Sequence, residues 1–140
     1  MRTIVAPLAP EIAAQLDGLD DQLRKVAEGY IARLRLEPYL GRVVAHGLLS
    51  ELGARAVLFG RDSRPDRLLS EQHRGRLRVA GEDPSKGPRW RVVYVIREAP
   101  DAGVRVIVVL AIGLGHADPS EPEDAYAAAL LQLLSKENGG

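Results

Sequence analysis

Apolar residues recur at Ile12, Leu16, Leu19, Leu23, Val26, Tyr30 and Leu34. Steps of three and four put them on one face of helical structure. Gly18 interrupts the pattern, and Asp20 behind it is a side chain suited to cap a new helix. The spacing predicts a short helix over 11–17, a tight connection and a longer helix over 20–36, together a helical hairpin. Glu37-Pro38 ends the second helix, because the residue before proline avoids the α region. Ahead of the hairpin, Arg2 to Ala6 forms a short β-like run closed by Pro7 and Pro10.

Beyond the hairpin the period changes. Pro38-Tyr39-Leu40-Gly41 reads as a turn. Val43 to Leu52 fits either a short helix or a strand, and Ala54 to Phe59 fits a strand or part of an insertion. Residues 60–75 are mostly polar, carry Arg61, Arg64, Arg67 and Arg74, and are expected to form a mobile excursion. Arg76-Leu77-Arg78-Val79 then alternates polar and apolar. Gly81 to Pro88 is turn chemistry throughout, Trp90 to Ile96 is rich in β-branched residues, and Ala99 to Gly103 is another turn. Val104 to Ile112 is almost wholly apolar, which predicts a central strand buried on both faces. The three strands and their short turns predict an antiparallel meander. Glu121 and Glu123 suit the first turn of a last helix over 122–135, whose apolar face is Tyr126, Leu130, Leu131, Leu133 and Leu134. The expected fold is α+β: an N-terminal strand and helical hairpin, helices on one face of a small, curved, mostly antiparallel sheet, and a C-terminal helix.

Composition narrows the chemistry. With 140 residues, 46% of them hydrophobic, the chain can bury one core, so a single domain over 1–140 with an insertion over 53–75 is expected. Aromatics are 4%, so that core is built from Leu, Val, Ile and Ala. The absence of cysteine excludes disulfides, thiolate zinc sites and a Cys nucleophile. His46, His73 and His116 lack metal-ligand spacing, and no phosphate-loop or nucleophile-elbow motif occurs, so no cofactor or metal is expected. No apolar run reaches the roughly 20 residues of a membrane span, and no long apolar leader opens the chain, so the expectation is a cytoplasmic protein with no membrane partner. Net charge is zero but uneven. Residues 24–105 hold seventeen basic and ten acidic residues; the flanking segments are acidic. Sixteen of the nineteen cations are Arg, whose planar fork suits phosphate, although a GC-rich genome gives the same bias.

Several local patterns, in order, resemble the RelE/ParE toxin superfamily of bacterial toxin–antitoxin systems. Leu36-Glu37-Pro38-Tyr39-Leu40-Gly41 is similar to that family's Leu-x-x-Pro-Tyr-x-Gly. His46-Gly47-Leu48-Leu49 is similar to its Leu-x-Gly-x-Leu segment. Leu77-Arg78-Val79 followed by Trp90-Arg91-Val92-Val93-Tyr94 resembles its Arg-Val-Gly-Asp-Tyr-Arg-Val-Ile-Tyr core. Val108-Val109-Leu110-Ala111-Ile112-Gly113 resembles its Val-Val-Leu-x-Val-Gly-His strand, with His116 slightly displaced. Three departures accompany these matches: extra residues between Leu52 and Arg74, a long loop in place of a tight Gly-Asp turn, and a 114–122 segment without Arg or Lys.

The resemblance implies a RelE-like toxin, a metal-independent endoribonuclease that cuts mRNA on the ribosome, inhibits translation and is silenced by a cognate antitoxin. In that chemistry the ribose 2′-hydroxyl attacks the neighbouring phosphate and leaves a cyclic phosphate. A base takes the proton, an acid protonates the leaving oxygen, and cations hold the charge on phosphorus. Arg78 and Arg91 match the sheet arginines, on adjoining strands, as a phosphate clamp; the plainer reading is charge that keeps a sheet soluble. His116 has the pKa range of an acid or base, against an ordinary loop histidine. Tyr126 aligns with a terminal tyrosine, against a place in a helix core. Arg74, Arg76, Lys86 and Arg89 form a basic cluster for RNA, against a solvated face. Trp90 suits base stacking or, more simply, the core. The alternative implied by the same resemblance is a non-nuclease, ParE-like toxin or repurposed module acting on a protein such as DNA gyrase. The bare 114–122 segment favours it.

Overall fold

The computed structural model describes residues 1–44, 47–61, 63–65, 89–115, 129 and 132. The chain opens with β1 (Arg2–Val5) and the hairpin α1 (Pro10–Asp17) and α2 (Asp21–Leu34). Pro10 starts α1 where a missing N–H costs nothing. Asp20 caps α2 as expected, its carboxylate accepting the Leu23 N–H at 3.0 Å. At the far end the N–H groups of Leu36 and Glu37 both close on the Arg33 carbonyl at 2.9 Å, and Arg33 Nε meets Glu37 at 2.5 Å just ahead of Pro38.

Next come β2 (Arg42–Val43), α3 (Gly47–Glu51) and β3 (Arg55–Phe59), so 43–52 holds a little of each alternative and 55–59 is strand. The chain then gives β4 (Arg89–Ala99), a 3₁₀ turn over Pro100–Ala102, and β5 (Val104–Gly115). Gly103 joins turn to strand at φ +66°, a conformation that glycine adopts without a Cβ penalty.

The five strands form one sheet in the order β1-β5-β4-β3-β2. β1 runs parallel to β5, with Ile4 opposite Val106, and the other three pairings are antiparallel. Val93 faces Ala111 and Tyr94 faces Val109, so Leu110 is an extra residue that bulges β5. β1 ends at the level of Ile107; beyond it the Ile112 N–H donates to Gln15 Oε1 of α1 at 2.7 Å.

Strand alternation divides the core in two. One cluster, under the hairpin, joins Ile12, Leu23, Val26, Tyr30 and Leu34 to Val57, Phe59, Val92, Tyr94, Ile107 and Val109. The other lies on the opposite face and joins Val44, Leu49, Ala54 and Ala56 to Val93, Val95, Leu110, Ala111 and Ala129.

One expectation is corrected by the described residues, and another is filled in. Helices do not all share one face: α3 brings Leu49 to the face opposite the hairpin, because Ala54, Ala56 and Ala111 leave room for it there. The antiparallel run among the described residues is β3-β4-β5, in which 55–59, read as strand or insertion, is a strand beside β4. β3 takes the place beside β4 because Ala56, Val57 and Phe59 bury both its faces. Residues 76–79 lie outside the described residues, as do most of the excursion expected over 60–75 and most of the helix expected over 122–135, of which Ala129 and Gln132 are helical. Among the described residues no helix is long and apolar enough to cross a membrane.

Candidate functional site

β4 is the middle strand of the sheet and carries Arg91 near its start. Its odd-numbered neighbours Val93 and Val95 belong to the face away from the hairpin. Arg91 shares that parity. Its neighbours across the sheet are Leu58 on β3 and Gly113 on β5. The flanking row sets Arg89 against Gly115. A Cβ built on Gly113 meets none of the described atoms within 4 Å.

Arg91 is 2% exposed, the one buried charged residue among those described, and its side chain is engaged within the protein. Burial of an ionised guanidinium costs several kcal/mol unless its hydrogen-bonding groups are met. This position therefore differs from an open cationic clamp: an anion reaches Arg91 only when what covers it gives way. The expected placement of Arg78 on a strand adjoining Arg91 lies outside the described residues. Among the described residues, Leu58 and Gly113 stand on either side of Arg91 in the sheet.

Arg74, Arg76, Arg78, Lys86, His116 and Tyr126 lie outside the described residues, as do His46 and His73. Arg89 is placed only by its backbone, at the first position of β4. Trp90 falls on the hairpin face, half-buried against the first cluster, with the Arg61 guanidinium 5.8 Å from its ring. That is the core role, on the opposite side of the sheet from Arg91.

A second polar group went unnoticed in the sequence. Tyr39, half-exposed in the turn after α2, has the guanidiniums of Arg55 and Arg105 at 5.0 and 5.3 Å from its ring. Its hydroxyl donates to Glu98 at 2.9 Å, and Arg105 Nε reaches the same carboxylate at 3.2 Å. The tyrosine hydroxyl first, and Arg105 second, hold the Glu98 carboxyl below its usual range. Arg55 also donates to the Gly41 carbonyl at 2.7 Å, so the cluster is a clasp on the turn more than an open site. The signal for it was the cross-strand pairing of Glu98 with Arg105, which a linear reading does not give.

Next to this clasp the buried Tyr94 hydroxyl donates to the Pro38 carbonyl at 2.7 Å and accepts the Gly41 N–H at 2.9 Å. Burial pushes its pKa up to about 12. A Cβ on Gly41 would lie 2.9 Å from Tyr94 Cε1 and 3.0 Å from the Ala56 carbonyl carbon, so the Pro-Tyr-x-Gly turn needs glycine for closeness to the sheet.

Among the described residues no group of His, Cys, Asp and Glu is placed to hold a metal ion. No protein-family model, curated protein or solved structure matches the chain.

Proposed function

We propose that this chain is a cytoplasmic toxin of the RelE/ParE kind, held silent by a cognate antitoxin, and that it acts as a RelE-like endoribonuclease on mRNA at the ribosome. The supporting observation is the arginine at the centre of the sheet. The chain runs strand, helical hairpin, antiparallel strands, and Arg91 sits on the middle strand on the face the hairpin leaves free. In this reading Arg91 and Arg78 hold the phosphate as charge grows in the transition state. His116 and Tyr126 exchange protons with the 2′-hydroxyl and the leaving oxygen. Arg74, Arg76, Lys86 and Arg89 attract the RNA backbone.

A second reading is favoured by one observation, the burial and engagement of Arg91. There the arginine holds the fold together and the toxin acts by docking on a protein target, with no RNA cleavage.

The test is growth and transcript integrity after induction of the wild-type chain, beside Arg78→Ala and His116→Ala, with each protein shown to be folded by circular dichroism. The nuclease reading expects growth arrest, cuts at defined transcript sites and loss of both in the variants. Arrest with intact transcripts moves the conclusion to the docking reading. A folded chain that neither arrests growth nor cuts RNA overturns both.

A further inference from the structure

β1 is an end strand of the sheet, and none of the described residues pairs with its outer edge. The amides of Arg2 and Ala6 donate inward to Gly103 and Ile107 of β5, each at 2.9 Å. In a strand the backbone groups of alternate residues point to opposite edges, so the N–H and C=O of Thr3 and Val5 point outward. Edge strands are usually blunted by proline, lysine or an inward charge. β1 has none of these between Thr3 and Val5.

The same edge borders a groove of about 580 Å³, lined by Ile4, Leu8, Leu16 and Ile31, with Glu28 and Arg35 at its margins. Glu28, Ile31, Ala32 and Arg35 lie on one face of the α2 segment, at i, i+3, i+4 and i+7. The acid and the base stand at opposite ends of that face, with Ile31 and Ala32 midway between them.

We propose that this edge and groove form a two-fold interface with a second copy of the chain. A two-fold axis through Ile4 sets Thr3 of one copy opposite Val5 of the other, and each such pair exchanges two N–H···O=C bonds. The ten strands then make one continuous sheet. The same axis, passing between Ile31 and Ala32, sets Glu28 of each copy against Arg35 of the other. A surface that meets itself must be self-complementary, and opposite charges placed symmetrically about an apolar centre satisfy that requirement. A partner of uniform charge would meet repulsion at one end. Glu28 has a contact within its own chain, Arg24 Nε at 3.6 Å; at that length and exposure it holds the carboxylate only loosely.

Sedimentation equilibrium of the full chain tests this, with an expected mass twice 15.2 kDa. Thr3→Pro removes an outward N–H from each copy and leaves the inward ladder intact, so the dimer should weaken by about tenfold or more. Glu28→Arg alone should weaken it by about tenfold through two like-charge contacts, and Glu28→Arg with Arg35→Glu should restore it. Restoration separates the interface from any effect on helix stability. A mass of 15.2 kDa at every concentration overturns the proposal and leaves the edge to a different partner. A dimer unmoved by Thr3→Pro, or a charge reversal that does not restore it, overturns it equally.

Discussion

The two faces of the sheet are built on different plans. Under the hairpin, large side chains close the core: Leu34, Ile107, Tyr94 and Ile12 are all fully buried. On the other face the described buried residues are mostly Ala and Val, and the buried Arg91 lies at one end of them beside Gly113. The hairpin face spends its apolar surface on stability. The opposite face keeps its side chains short, so the sheet backbone lies close to whatever packs there. A buried cation survives in such a place because small neighbours leave room to meet its hydrogen-bonding groups. The comparison teaches where to look for function: the face away from the hairpin holds the buried charge.

The largest expected effects follow from that contrast. Leu34→Ala should cost about 3 kcal/mol, since the hairpin cannot collapse onto the gap. Ala111→Leu, on the other face, should cost about 1–3 kcal/mol for the opposite reason, too much volume. Urea unfolding of both variants measures this. If Ala111→Leu leaves stability unchanged, the second face is loosely packed, and the contrast fails.

A narrower test lies at the turn that joins α2 to the sheet. Gly41→Ala forces a Cβ against the Tyr94 ring and should cost about 1–3 kcal/mol. Tyr94→Phe leaves the Gly41 N–H without its acceptor and should cost about 1–2 kcal/mol. The two should not add, because both act through one contact. Alkali probes the same bond. The unfolded tyrosine ionises near the ordinary 10.0, the native one at about 12. The native state thus binds more protons between those values. Its contribution is whole below the unfolded value and is lost as pH rises through about 12. Tyrosinate absorbance during an alkaline titration, with Tyr94→Phe as the control, reads this directly.

Much of the hairpin face was legible in the chain, because a helix shows itself by local spacing. Ile12, Leu23, Val26, Tyr30 and Leu34 read as a stripe and are buried as one, and Asp20 read as a cap and is one. Val104 to Ile112 likewise announced a buried strand. What could not be read was lateral order. That β4 takes 55–59 as a neighbour depends on surface buried across dozens of residues, which local alternation does not reveal. The burial of Arg91 was hidden for the same reason, since an arginine in a β-branched run looks identical whether its face is open or covered. The Tyr39 clasp joins residues 59 apart in sequence and left no local trace.

The smallest expected effects are at two exposed carboxylates that fasten the margins of the hairpin face. Asp20 is held below its ordinary 3.8 first by the Leu23 N–H and then by Arg61; Glu98 is held below 4.5 first by Tyr39 and then by Arg105. In the native state both groups bind fewer protons than in the unfolded chain as pH falls into this range. Their contribution is whole above the ordinary values and is lost as pH drops through each lowered one. Charge and cap can be separated at Asp20. Asp20→Asn keeps an oxygen for the Leu23 N–H but no titrating group, so its melting temperature should stay near wild type at neutral pH and fall less steeply in acid. Asp20→Ala should lose stability already at neutral pH. Amide exchange during the acid titration then sharpens the comparison of the two faces. Protection should fall first in α1 and α2, at Leu23 and its neighbours, while Val93 and Val95 hold theirs. Simultaneous loss on both faces would mean that the sheet and hairpin open as one unit, and that the short side chains of the second face are bound as firmly as the long ones of the first.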